Sequence, residues 1–142
     1  MRVSAVILAA GLGLTGCSSH VTSAVMPGAD LRELRNAYVV CRPEEDADIC
    51  QMLAANLQSH GFTAQTGLGP PPPDTQVVVT YEDRWTWDMA TYLLNLRVDM
   101  RDPHTNVLLA TSQVFATSLV RRSPARMAKE SIDAIVAGKG GS

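Results

Sequence analysis

Val77-Val78-Val79-Thr80-Tyr81-Glu82-Asp83-Arg84-Trp85-Thr86-Trp87, followed three residues later by Thr91-Tyr92-Leu93-Leu94-Asn95-Leu96-Arg97-Val98-Asp99-Met100-Arg101, decides the fold. In an extended chain successive side chains point to opposite faces, so every second residue shares a face. Val77, Val79, Tyr81, Trp85 and Trp87 therefore share one face of the first run, and Val78, Thr80, Glu82, Arg84 and Thr86 share the other. Asp83 interrupts the apolar face, which calls for a bulge or a buried partner there. In the second run Tyr92, Leu94, Leu96, Val98 and Met100 alternate with the more polar set from Thr91 to Arg101. Asp102-Pro103-His104-Thr105-Asn106 is turn chemistry, and Val107 to Phe115 reads as the returning strand. Three strands in this order form an antiparallel meander with one face on a core and one in water.

Upstream, Ala37 to Cys41 is a short apolar run of strand formers. Pro43-Glu44-Glu45-Asp46 marks a helix start, where the backbone dipole favours acids. Ile49, Met52, Leu53 and Leu57 recur at helical spacing, and Gly61 supplies the stop. Phe62 to Thr66 follows as a weaker strand, so this segment reads as a β-α-β unit with parallel strands. Gly67 to Asp74 holds four prolines, Pro70 to Pro73, and is either a stiff surface loop or a docking ligand for an aromatic groove. Downstream, Ser123-Pro124 is an N-cap followed by a first-turn proline. Met127, Ala128, Ile132, Ile135 and Val136 make one side of this helix apolar, and Arg126–Glu130 and Lys129–Asp133 pair on its outside. The order β-α-β-β-β-β-α gives an α+β two-layer sandwich, with a mixed sheet of about five strands and both helices on one face.

The amino-terminal residues read differently. Met1-Arg2 is a positive start, and Val3 to Leu14 is an apolar run too short to span a bilayer as a helix. It ends in Leu14-Thr15-Gly16-Cys17. These four residues resemble the bacterial lipobox, in which the first three guide the signal peptidase. The resemblance implies cleavage before Cys17 and acylation of its sulfur and its new amine, which attaches the chain to a lipid bilayer. Ser18, rather than Asp, after the cysteine points to the periplasmic leaflet of the outer membrane, with retention in the inner membrane as the alternative. The expected organisation is a signal peptide over 1–16, a flexible tether over 17–30, one domain over 31–138 and a disordered tail over 139–142.

Removal of residues 1–16 leaves 126 of the 142 residues, which suits one domain with one core. The mature chain carries 11 basic against 14 acidic residues, which gives no reason to expect a nucleic-acid partner. Three cysteines are present. With Cys17 acylated, Cys41 and Cys50 remain as a pair, either a disulfide or two buried thiols. Their spacing does not fit a redox CxxC motif, no histidine lies nearby in sequence to complete a zinc site, and no metal or other cofactor is expected.

The segment Tyr81 to Leu93, with Leu108-Leu109-Ala110 and Ser123-Pro124, resembles a group of small α/β lipoproteins of Gram-negative bacteria. The order of elements is also similar to that of the lipopolysaccharide-assembly lipoprotein and the amino-terminal domain of TolB. Such resemblance implies a fold and transfers no function. Trp85 and Trp87 are the candidate interaction patch; the alternative is that both cap the core. Asp83, Arg84 and Asp88 beside them are either catalytic or a salt-bridged turn. His20, His60 and His104 read as solvated. The expectation is a non-enzymatic lipoprotein that binds or assembles with an envelope protein. A periplasmic enzyme acting on glycan or peptide, and a surface antigen without a dedicated partner, are the alternatives.

Overall fold

A computed structural model describes residues 20–44 and 47–138. One mixed sheet carries six strands in the order β1-β6-β5-β4-β2-β3. The strands are β1 (Val21–Val25), β2 (Asn36–Val40), β3 (Thr63–Gly67), β4 (Val77–Trp87), β5 (Thr91–Arg101) and β6 (Leu108–Phe115). Two helices, α1 (Ile49–Ser59) and α2 (Pro124–Ala137), complete the fold with a short 3₁₀ turn over Leu31–Glu33.

The α+β class holds, and the strand count rises from five to six. The added strand is β1, inside the stretch expected to be a flexible tether. It pairs antiparallel with β6, Val21 opposite Val114 and Val25 opposite Ala110. Thr22, Ser23 and Ala24 stay exposed, and only Val21 and Val25 pack on the core. As an edge strand β1 is covered on one side only, by β6, and its outer backbone groups face water.

The β2-α1-β3 unit has the expected parallel pairing, Asn36 opposite Thr63 through Val40 opposite Gly67. Helix α1 starts later than its acidic prelude suggested, with Asp48 at the N-cap and Pro43 and Glu44 in a bend. Ile49, Leu53 and Leu57 are fully enclosed, each worth about 1.5–3 kcal/mol of burial. Gly61 follows the helix with φ of +89°, a conformation that favours glycine. Helix α2 opens as read, the Arg126 amide donating to the Ser123 hydroxyl at 3.2 Å with Pro124 in the first turn. Its buried positions are Met127, Ala128, Ser131, Ile132 and Ile135. Both helices cover the sheet face formed by Val39, Val77, Val79, Leu96, Val98, Met100 and Val114.

The proline-rich segment lies against the opposite sheet face. Tyr38 points away from the helices and is nonetheless buried, its hydroxyl donating to the Gly69 carbonyl at 2.9 Å. A Cβ at Gly67 would come within 2.3 Å of that hydroxyl oxygen, so a larger residue there would displace the Tyr38 hydroxyl from its seat.

The alternation of β4 and β5 breaks once. Arg84 pairs with Asn95 but Trp85 pairs with Leu93, which leaves Leu94 as the extra residue of a bulge. Leu93 therefore enters the core together with Leu96, and Leu94 and Tyr92 leave the face assigned to them by strict alternation. The carbonyl of Leu94 accepts from the Ala116 amide at 2.8 Å, one residue past the end of β6. At the far end Asp102 accepts from the His104 and Thr105 amides, both at 2.8 Å, and these bonds hold its carboxyl below the usual carboxylate range.

Candidate functional site

The residues singled out in the sequence converge on the β4-β5 hairpin. Asp83 lies on the core face of β4, and two groups meet its carboxylate. The Trp85 indole N–H donates to Oδ2 at 2.7 Å, and the Arg42 guanidinium pairs with Oδ1. A carboxylate on an apolar face thus receives both the bulge and the partner that its position demands. Arg42 follows β2, 41 residues away, and its own amide donates to the Tyr81 hydroxyl at 3.2 Å. The same loop carries the disulfide between Cys41 and Cys50, which ties the end of β2 to the first turn of α1 across a Cα separation of 5.2 Å.

The two tryptophans part company. Trp85 packs half-buried against the core, while Trp87 is 72% exposed. The reason is the length of the hairpin. Strand β6 ends with Phe115 opposite Asn95, and β4 and β5 continue together as far as the Trp87–Thr91 pair. Beyond that level neither β6 nor β1 extends beside the hairpin.

A second chain segment braces this projection. Arg121 lies over the Tyr92 ring with its guanidinium carbon 4.7 Å from the centroid, donates to the Asp88 carbonyl, and stands 3.7 Å from the Asp88 carboxylate. The segment from Thr117 to Val120 closes on itself, the Thr117 amide donating to the Val120 carbonyl and the Val120 amide to the Thr117 hydroxyl. Arg121 and Arg42 were absent from the sequence reading, since each meets its partner across more than 30 residues. The one available signal was Asp83, whose burial required a cation from somewhere. Arg84, by contrast, is exposed on the opposite face.

At this end of the hairpin two carboxylates are ion-paired, and a third, Glu82, is exposed. Asp83 holds Arg42 and Trp85, and Asp88 holds Arg121. Among the described residues no three His, Cys, Asp or Glu side chains gather as a metal site. A cleft of about 340 Å³ lies at the other end of the molecule and is lined in part by Leu31, Arg35, His60, Phe62 and Val136. His60 is not a free surface side chain: its Nε2 lies 2.7 Å from Asp133 Oδ1 and so links the end of α1 to α2. Leu14, Thr15, Gly16 and Cys17 lie outside the described residues, as does the tail 139–142.

No protein family matches the chain by sequence, and no curated protein does. Solved structures do match its fold. A variant of PelC from Paraburkholderia phytofirmans, crystallised as a dodecamer, is 13% identical with a TM-score of 0.59, and the match covers 88% of this chain and all of that one. TolB from Acinetobacter baumannii is 14% identical with a TM-score of 0.52, over 87% of this chain and 32% of TolB. A PDZ domain protein from Parabacteroides distasonis is 8% identical with a TM-score of 0.51, over 78% of this chain and 33% of that protein. At these identities the likeness is one of fold. The similarity to TolB expected from the order of elements is present at that level.

Proposed function

We propose that this chain is a lipid-anchored protein of the bacterial periplasm, held at the outer membrane, whose role is binding or assembly as an accessory to an envelope complex. The observation that carries this reading is the lipobox Leu14-Thr15-Gly16-Cys17, which ends three residues before the first described residue, His20. Acylation at one cysteine with several chains makes attachment stable, since each buried methylene contributes about 0.8 kcal/mol. The fold supports an assembly role, because its likeness spans the whole of a PelC chain that is itself part of a dodecamer. The hairpin supports binding over catalysis, because Asp83 and Asp88, which flank its tryptophans, are paired with Arg42 and Arg121.

Two measurements test the proposal. Acyl labelling and mass spectrometry of the wild type and of Cys17→Ser, with and without globomycin, should show a lipidated Cys17 only in the untreated wild type. An unmodified thiol there would remove the anchor. Crosslinking in intact cells, followed by native mass spectrometry of the detergent-extracted protein, should return a discrete complex with an envelope protein or with further copies of the chain. A monomer without crosslinked partners would remove the assembly role.

A further inference from the structure

The way the chain enters the sheet fixes which end of the domain would face a bilayer. Strand β1 begins at Val21 opposite Val114, and the Phe115 amide donates to the His20 carbonyl at 3.0 Å. His20 is thus pinned at the end of the sheet from which the β4-β5 hairpin projects. Cys17 lies three residues earlier. At full extension that stretch reaches roughly 10 Å. The hairpin rises by about the same amount above His20, since β4 runs three residues from Arg84, level with Asn95 and Phe115, to Trp87. At the usual rise per residue that is roughly 10 Å. The opposite end of β5, Arg101, lies six residues below the level of His20, about 20 Å away and beyond the reach of that leash.

At that height the hairpin and the neighbouring 117–120 turn carry bare apolar side chains around one ion pair, Asp88–Arg121. Trp87 is 72% exposed, Met89 90% and Leu119 94%, with Val120 beside it at 52%. Leu119 sits at the apex of the closed Thr117–Val120 turn, and Arg121 clasps that segment to the hairpin through Asp88 and Tyr92. Met89 is held at φ of +60°, a left-handed conformation that costs a non-glycine residue roughly 1 kcal/mol, and it points into open solvent. Two separate chain segments therefore spend backbone order on presenting large apolar side chains to water. Aromatic and aliphatic residues so grouped favour the interfacial zone of a membrane, where an indole can bury its ring and keep its N–H wet.

We infer that the tip formed by Trp87, Met89, Leu119 and Val120 is a membrane-docking surface that dips into the same leaflet that holds Cys17. The inference rests on the lipid anchor proposed above. It replaces a domain swinging freely on a tether with one seated on the bilayer in a fixed orientation. The polar sheet face, with Glu82 and Arg97, then stands upright to the membrane and is open to partners.

The test uses the chain from Cys17 to Ser142, which keeps every described element. With Cys41 and Cys50 bonded to each other, Cys17 is the single free thiol and can be coupled to a maleimide lipid in phosphatidylethanolamine–phosphatidylglycerol vesicles. The chain has two tryptophans, so Trp85→Phe leaves Trp87 as the reporter. On coupling, Trp87 emission should shift to the blue, lose intensity when the lipids carry bromine just below the head group, and resist acrylamide. A tryptophan placed at the other end by Val107→Trp, with Trp85 and Trp87 both replaced by Phe, should show none of these changes. In the wild type, hydrogen exchange of the Thr117–Val120 amides should slow on coupling, a readout that does not depend on any variant folding. Emission and exchange unchanged by coupling would overturn the inference. Cellular acylation of Cys17 without tip insertion would leave the anchor and remove the docking surface. Insertion of the coupled protein together with an unmodified Cys17 in cells would do the reverse.

Discussion

Arg122 places Nη1 2.5 Å from Glu130 Oε2, and its side chain is only 5% exposed. The pair joins the segment leaving the hairpin to the middle of α2. Glu130 also accepts from the Arg126 guanidinium at 3.0 Å, but Arg126 is 65% exposed. The two contacts should therefore differ sharply in worth. Breaking a buried pair leaves a charge without a partner and costs about 3–5 kcal/mol, whereas an exposed pair is worth well under 1 kcal/mol. Because Glu130 keeps some solvent, Glu130→Ala is expected to cost about 2–3 kcal/mol in urea unfolding, and Arg126→Ala less than about 0.5 kcal/mol. Equal effects of the two substitutions would contradict this assignment.

The disulfide should be worth about as much. It closes a short loop between β2 and α1, with nine positions separating Cys41 from Cys50. The chain-entropy relation gives roughly 2.5–3 kcal/mol for a loop of that size. Urea unfolding of a Cys17→Ser background, with and without reductant, should show that loss. A Cys41→Ala/Cys50→Ala variant should behave like the reduced protein. A reduced protein as stable as the oxidised one would show that the bond adds nothing to the fold.

Much of this architecture is written in local periodicity. Helices α1 and α2 bury nearly the residues that their spacing selects, because a helix covering a sheet has a fixed angular face. What the sequence hides depends on neighbours. Strand β1 escapes notice because Val21-Thr22-Ser23-Ala24-Val25 buries little and sits before Pro27-Gly28, so its composition is that of a linker. The bulge at Leu94 escapes notice because Leu93 and Leu94 are both apolar, and either one satisfies the alternation. Trp85 and Trp87 share a face, yet only the ends of β6 and β1 determine that the second has nothing beneath it. Asp83 could be recognised as needing a partner, but not which cation would come.

Asp133 predicts an acid limb in the stability curve. Its carboxyl is held below the usual carboxylate range, first by the Lys129 ammonium and then by His60, against a desolvation that opposes both. A carboxyl whose folded value lies below its unfolded one stabilises the fold above the unfolded value, about pH 3.9. That contribution is lost as pH falls through the lower folded value. The side chain is 37% exposed, so screening limits the effect to a few tenths of a kcal/mol. The urea midpoint of the wild type should thus fall further than that of Asp133→Asn between pH 5 and pH 3. Asp30 and Asp102 titrate in the same window but are common to both proteins. Parallel acid limbs would mean that the His60–Asp133–Lys129 link carries no net charge stabilisation.

Two buried hydroxyls point to a gain in stability. Ser131 is fully enclosed in α2 and Ser112 nearly so in β6, and neither Oγ has a hydrogen-bond partner among the described residues. A buried hydroxyl without a partner costs roughly 1–3 kcal/mol by desolvation. At position 131 alanine also has the higher helix propensity, by about half a kcal/mol. Its methyl group occupies the space already taken by the serine Cβ, so no neighbour has to move. Ser131→Ala is therefore expected to raise stability by about 0.5–1.5 kcal/mol, combining a partly relieved desolvation with the propensity gain. Ser112→Ala lacks the helical term and should gain less. Serine in a strand is also offset by no packing of its own, so this substitution should still not destabilise the fold. A loss of more than about 0.5 kcal/mol in either variant would reveal a partner for that oxygen, such as an enclosed water, since buried waters are held by polar groups of this kind.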